Sequence, residues 1–186
     1  MKDYGIIYSY KNHGDSLVIV FANEKEFVDE KVVGRVHIYY DNDQVIGYKI
    51  DKIKDFLKIR SEGDKLFFPN KEFIDVINSI LINAKCEPLE LRENSGYFIG
   101  EVKEINKDTI TVSLGNRNIT AAKCDANIGD KVVVALPGTM LDGRTKVKDY
   151  AHICVDKDLN YEGTDEILLL DKDAVIGEDF FTLEVK

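Results

Sequence analysis

The 186-residue chain has no tryptophan, three prolines and three cysteines. Cys86, Cys124 and Cys154 are odd in number, widely spaced and free of any Cys-x-x-Cys pair, which excludes a disulfide-stapled miniprotein. The pattern fits reduced thiols in a cytoplasmic protein. No long apolar run occurs. The longest, Leu17–Ala22, falls far short of the ~20 residues a membrane span needs, so no membrane partner is expected. Met1-Lys2-Asp3-Tyr4-Gly5 places no apolar segment behind a basic one, so no secretory signal is expected. Positive charge is also scarce. Lys and Arg number 25 against 34 Asp and Glu, a net of −9, which argues against a protein whose main work is gripping phosphates, because counterion release drives that binding.

What is present is ordinary globular material: 44% apolar and 32% charged residues, enough for a real core in one domain or two small ones. The charge is unevenly spread. Residues 1–95 carry 14 basic and 17 acidic side chains, a net of −3; residues 96–150 carry 8 and 7, a net of +1; residues 151–186 carry 3 and 10, a net of −7. On these sums the middle segment is the one expected to face nucleic acid without strong repulsion.

Patterning predicts two domains, 1–95 and 96–186. In the first, Leu17–Phe21 reads as a buried strand after the turn Asn12-His13-Gly14-Asp15. Val32–Tyr40 and Gln44–Ile50 flank Asp41-Asn42-Asp43 as a hairpin. Lys71–Ala84 reads as a helix capped by Asn70, with Phe73, Ile74, Val76, Ile77, Ile80 and Leu81 on one stripe. The boundary is placed at Glu93-Asn94-Ser95-Gly96. In the second domain five short strands are predicted: Tyr97–Ile105, Thr109–Leu114, Asn118–Lys123, Lys131–Leu136 and Arg144–Lys148, with Ile167–Leu170 as a further candidate. Even spacing and Val, Ile and Thr enrichment point to a small barrel such as an OB-fold. The expected architecture is a small N-terminal α+β domain followed by an all-β OB-fold barrel.

No catalytic constellation emerges, and no enzyme, cofactor or metal is expected. Gly138-Thr139-Met140-Leu141-Asp142-Gly143-Arg144-Thr145 approaches G-x-x-x-x-G-K-[ST], the pattern of a P-loop-like nucleotide-binding protein. A P-loop must open into a helix whose amides cradle phosphate, whereas Arg144–Lys148 alternates like a strand. Asp156-Lys157-Asp158-Leu159-Asn160 begins like a calcium loop, but Tyr161 stands where Gly is required and Ile167 where a bidentate Glu is required. His13, His37 and His152 share no metal-ligand spacing. His152 and Cys154, two apart, would share one face of a strand as a thiolate–imidazole pair, yet no third group orients them.

Several passages together resemble a known family. Cys124-Asp125-Ala126-Asn127, Gly129-Asp130-Lys131, Val132–Ala135, Gly138…Gly143, Thr145-Lys146-Val147-Lys148 and Ile153–Leu159 follow one another as in the EMAP-II-like tRNA-binding domain. That OB-fold occurs in the phenylalanyl-tRNA synthetase β subunit and in fusions to methionyl-tRNA synthetases. Tyr10–Leu17 resembles the opening of the YtpR-type tRNA-binding proteins, in which a small α+β domain precedes the barrel. The resemblance covers nearly the whole chain. It departs where Asp149-Tyr150-Ala151-His152 replaces a longer family passage, Leu-Arg-Gly-x-x-Ser-x-Gly-Met, associated with RNA contact. Direct carry-over of binding residues therefore reaches only Asn127, Lys146 and Lys148.

The resemblance implies a cytoplasmic, non-catalytic tRNA- or RNA-binding protein. Arg117, Lys123, Asn127, Arg144, Lys146 and Lys148 are the candidate RNA-binding residues, Lys103 and Lys107 further cations, and Tyr97 and Tyr150 the nearest rings. Dimerisation, common among free-standing relatives, is a further implication for which no seam is legible. The alternative reading is a diverged scaffold or protein-interaction module that has kept the barrel and lost RNA binding.

Overall fold

The computed structural model describes residues 3–21, 29–141 and 145–181. The chain divides into two compact units: Met1–Arg92 with Asp142–Thr145 and Asn160–Glu162, and Glu93–Leu141 with Lys146–Leu159 and Gly163–Lys186.

The first unit contains β1 (Tyr4–Ser9), β2 (Ser16–Phe21), β3 (Asp29–Val33), β4 (Val36–Asp41), β5 (Gln44–Asp51) and β6 (Lys65–Leu66), followed by helix α1 (Lys71–Asn83). The strands form one antiparallel sheet in the order β3-β4-β5-β2-β1-β6. Period-2 patterning sends alternate residues to one face, where register lines them up across strands. Tyr8, Leu17, Ile50 and Val36 make one row, and Ile6, Ile19, Tyr48 and Ile38 the next. All are buried, and they share a core with Ile74, Ile77 and Leu81 of α1, whose i, i+3, i+7 spacing presents one stripe. The helix begins where predicted, with the Asn70 side chain accepting from the Phe73 N–H at 2.9 Å.

The expected α+β first domain is corrected: this unit is mostly β, with one α-helix among its described residues. Two features account for the difference. Tyr4–Ser9 is a strand that its Gly and Ser obscured, and the predicted strand Val32–Tyr40 is broken in two. Gly34, at φ +61°, turns the chain so that Val33 pairs with Val36. The second hairpin forms as expected, with Asn42 in the left-handed region at φ +52°.

The second unit holds β7 (Tyr97–Ile105), β8 (Thr109–Ser113), β9 (Asn118–Ala122), β10 (Lys131–Ala135), β13 (His152–Ile153) and the single-turn helix α2 (Asp156–Leu159), while the short strands β11 (Met140–Leu141) and β12 (Thr145–Lys146) form a two-stranded ribbon. Five strands form a sheet in the order β13-β10-β7-β8-β9. The sheet curls until its ends meet. Ala121 and Ala151 form a parallel bridge, with Ala151 N–H donating to Thr120 O and Ala122 N–H to Ala151 O, both at 3.0 Å. Two features of β7 allow this curl. A register shift between Val102 and Glu104 bends the strand. Gly100 sits so close to β8 that an added Cβ would lie 2.4 Å from Val112 Cγ1. Val102, Ile110, Val112, Ala121, Val132, Val134, Ala151 and Ile153 fill the interior.

The fifth strand is not the predicted Arg144–Lys148. Of its described residues, 145–148, Thr145–Lys146 belongs to the two-stranded ribbon, and the sheet returns on itself through Ala151–Ile153. Ile167–Leu170 adds isolated bridges rather than a strand, Ile167 to Val155 and Leu169 to Val132. The chain after it is built into the unit. Ile99 N–H donates to Glu178 O at 2.9 Å and Gly177 N–H to Ile99 O at 2.8 Å, while the Phe181 ring meets Tyr97 edge-on with centroids 5.4 Å apart. Among the described residues no helix is long and apolar enough to cross a membrane.

Candidate nucleic-acid interface

Strands β8 and β9 alternate strictly. Ile110, Val112, Ile119 and Ala121 turn into the core, leaving Thr109, Thr111 and Ser113 of β8 opposite Ala122, Thr120 and Asn118 of β9 on the other face. Asn118, Thr120 and Ala122 are exposed and their β8 partners half-buried. This face is small, uncharged and rich in hydroxyls, with no aromatic ring. It offers hydrogen bonds to a polar ligand and no stacking platform. The row was legible as Thr-x-Thr-x-Ser followed by Asn-x-Thr, although no such face figured in the sequence reading.

The predicted residues scatter around it. Arg117 is exposed in the turn that enters β9, where its carbonyl accepts from Leu114 N–H at 2.8 Å. Lys123 lies just beyond β9, and its Nζ donates to Asn106 O at 2.8 Å, tying that end of the strand to the loop that carries Lys107. Lys146 and Lys148 are exposed on either side of buried Val147, whose backbone exchanges hydrogen bonds with Gly138 and Thr139. Lys148 and Tyr150 lead into Ala151, and the parallel bridge at that residue makes them approach from the Asn118 side of β9. Tyr150 is 52% exposed. Arg144 lies outside the described residues.

Three further candidates are engaged within the fold. Asn127 N–H donates to Asp130 at 2.8 Å, closing a turn docked on β7 through Gly129 N–H to Val102 O and Val102 N–H to Asp130 O. Lys103 is paired with Glu101 at 2.7 Å. Tyr97 is buried, and its hydroxyl donates to Met140 O at 2.7 Å, so its ring offers no surface to a base. Asp108, Asp125 and Asp149 follow Lys107, Lys123 and Lys148 closely in the chain, so the rim is close to charge balance.

The remaining chemistry resolves into packing. The chain beyond Gly138, itself at φ +94°, passes from β11 to β12 and opens no helix in its described part, so the phosphate-cradle geometry is not formed. His152 Nε2 contacts Asp158 at 2.7 Å rather than the Cys154 thiol, which is fully buried; burial pushes that thiol well up and the nearby Asp158 adds to the effect. Asp158 also accepts from Val155 N–H at 2.8 Å, and Asp156 from Thr164 N–H at 3.1 Å, so the calcium-like run holds its own turn together. His37 is held between Glu30 and Asp51 at 2.6 and 2.8 Å. Among the described residues no group of three or more His, Cys, Asp or Glu is arranged to hold a metal ion. Compared with known proteins, the chain matches no family model and no curated sequence.

Proposed function

We propose that the second unit is an OB-fold of the EMAP-II-like tRNA-binding kind and that the chain is a cytoplasmic, non-catalytic RNA-binding protein of the YtpR type. The observation that carries this reading is the ring order. In an OB-fold ligands use the strand 2–3 face together with the loops joining strands 1–2 and 4–5. Here β7, β8 and β9 form a meander, β10 lies beside β7, and β13 lies between β10 and the bridge to β9. The corresponding face is β8–β9, and the corresponding loops are 106–108 and the described residues between β10 and β13, 136–141 and 145–150. Arg117, Lys123, Lys146 and Lys148 border it.

The mechanism that suits this surface is backbone tracking. Rim cations meet phosphates, the Thr, Ser and Asn row hydrogen-bonds to sugar hydroxyls or phosphate oxygens, and Tyr150 stacks on at most one base. Filter binding with unfractionated tRNA tests it. With four phosphate contacts, log K falls by about 3 per log unit of salt, and Lys146→Glu/Lys148→Glu removes about 1.5 of that slope. No association at ~50 mM salt, the permissive condition, counts decisively against the reading.

A second reading, a protein-interaction module on the same barrel, is favoured by the ring-free β8–β9 face and the net charge of −9. It expects a protein partner that survives ribonuclease in pull-down and is indifferent to Lys146→Glu/Lys148→Glu.

A further inference from the structure

We infer that the first unit carries a separate contact surface for unpaired RNA, built from Lys52, Lys54, Lys58 and Arg60 with the rings of Tyr10 and Phe56. The inference does not depend on the barrel. It begins with Lys52-Ile53-Lys54-Asp55-Phe56-Leu57-Lys58-Ile59-Arg60, four cations to one carboxylate in a chain of net −9. Summing charge over residues 1–95 conceals this run.

Packing gives the run a fixed shape. Ile53, Leu57 and Ile59 are buried in the core of the first unit, while Lys52, Lys54, Lys58 and Arg60 are exposed between them. Ile53 N–H donates to Asp15 O and Leu57 N–H to Ile53 O, at 3.0 and 2.9 Å, fastening the segment to the β1–β2 turn. The cations are therefore presented on an anchored loop, which lowers the entropy lost when a ligand docks. Lys52 sits at φ 52°, ψ 48°, a left-handed conformation that glycine adopts at no steric cost and lysine does not.

Two exposed rings flank the cations. Tyr10 is 43% exposed with Lys54 Nζ 4.8 Å from its centroid, and Phe56 is 47% exposed with the Arg35 guanidinium 5.2 Å from its centroid. Large exposed rings beside cations are what single-stranded nucleic acid uses, bases stacking on the rings while phosphates meet the charges. The first unit thus offers what the β8–β9 face lacks.

The local carboxylates do not cancel this charge. Asp55 is engaged by Arg35 at 2.5 Å, Asp15 by Tyr8 and the Lys54 N–H, and Asp64 is buried in its own network. Of the carboxylates within residues 51–64, Glu62 is the exposed one without a partner, against Lys52, Lys58 and Arg60 in the same condition. Lys11 is left out of the surface because Glu162 pairs with it at 2.6 Å.

The test is fluorescence anisotropy of the full chain with labelled single-stranded 20-nucleotide polyuridine and with unfractionated tRNA. Thermal unfolding serves to establish that each variant is folded. Lys52→Gln/Lys58→Gln/Arg60→Gln is expected to reduce the slope of log K against log salt by about 2, at ~0.7 per lost single-strand contact. Tyr10→Ala and Phe56→Ala are each expected to weaken polyuridine binding by about fivefold or more without changing that slope. If the slope responds to Lys146→Glu/Lys148→Glu and not to the first-unit variant, this inference is overturned and the barrel reading stands. If it responds only to the first-unit variant, the reverse holds. Binding to neither RNA overturns both, and binding through these residues to phosphatidylglycerol vesicles but not to polyuridine replaces RNA with an anionic membrane surface.

Discussion

Asp64 is 5% exposed, and its carboxylate accepts from four donors of the β1–β2 turn: Tyr10 N–H at 2.6 Å, Lys11 N–H at 2.9 Å, Ser9 Oγ at 3.0 Å and Asn12 Nδ2 at 2.5 Å. Burial alone would raise this carboxyl. The two backbone N–H groups, with Ser9 and Asn12, outweigh it and hold the group below the usual carboxylate range. A depressed folded-state value means that the stabilisation is complete above the ordinary value near 4 and is lost as pH falls through the lower folded one. Asp64→Ala is expected to cost about 3 kcal/mol at pH 7, because buried donors lose a charged acceptor. In urea titrations the gap between the variant and the parent should shrink below about pH 4. A gap that stays constant down to pH 2 would contradict the role assigned to the charge. Nothing in the local sequence announces Asp64. Ser61-Glu62-Gly63-Asp64 reads as an ordinary polar turn, and its partners lie 52 to 55 residues earlier.

At the level of elements, legibility followed length. Helix α1 spans 13 residues, long enough for a 3.6-residue period and an Asn cap to be read directly. The β13 strand has two residues, and its preceding bridge at Ala151 adds one more, too few to show a period of 2. The chain therefore hides the segment that brings the ends of the curled sheet together, and the more strand-like Arg144–Lys148 stands in its place in the expectation. Gly100 makes the curl testable. Its missing Cβ leaves room for Val112, a branched and fully buried side chain that cannot swing away cheaply. Gly100→Ala should destabilise the second unit by about 1–3 kcal/mol through overpacking, measured by denaturant unfolding. An unaffected midpoint would mean that β7 and β8 do not approach as closely as described.

For the molecule as a whole, the acidic C-terminal segment invites the idea that residues 151–186, at net −7, act as a mask over an RNA-binding face, removable by deleting everything after Gly177. The structure makes that deletion a structural lesion. Glu178 O accepts from Ile99 N–H, Asp179 accepts from Ser95 N–H and Oγ at 2.6 and 2.7 Å, and Phe181 is buried against Tyr97. Removal of residues 178–186 is expected to lower Tm through about 3 kcal/mol of lost aromatic burial and hydrogen bonding, read by calorimetry. Higher RNA affinity with an unchanged Tm would restore the mask.

The sequence by itself determined what depends on near neighbours: a β-rich chain, the helix over residues 71–83, a hairpin turning at Asn42, and four of the five strands of the second unit's sheet. These follow from side-chain period, capping and turn chemistry, which act over a few residues. Tertiary structure alone decided that Ala151 meets Ala121, that Tyr97 is core rather than platform, that the turn after Asn127 docks on Val102, and that Lys54 stands beside Tyr10. Each of these rests on contacts between residues far apart in the chain or on which face a strand buries, and local pattern carries no record of either.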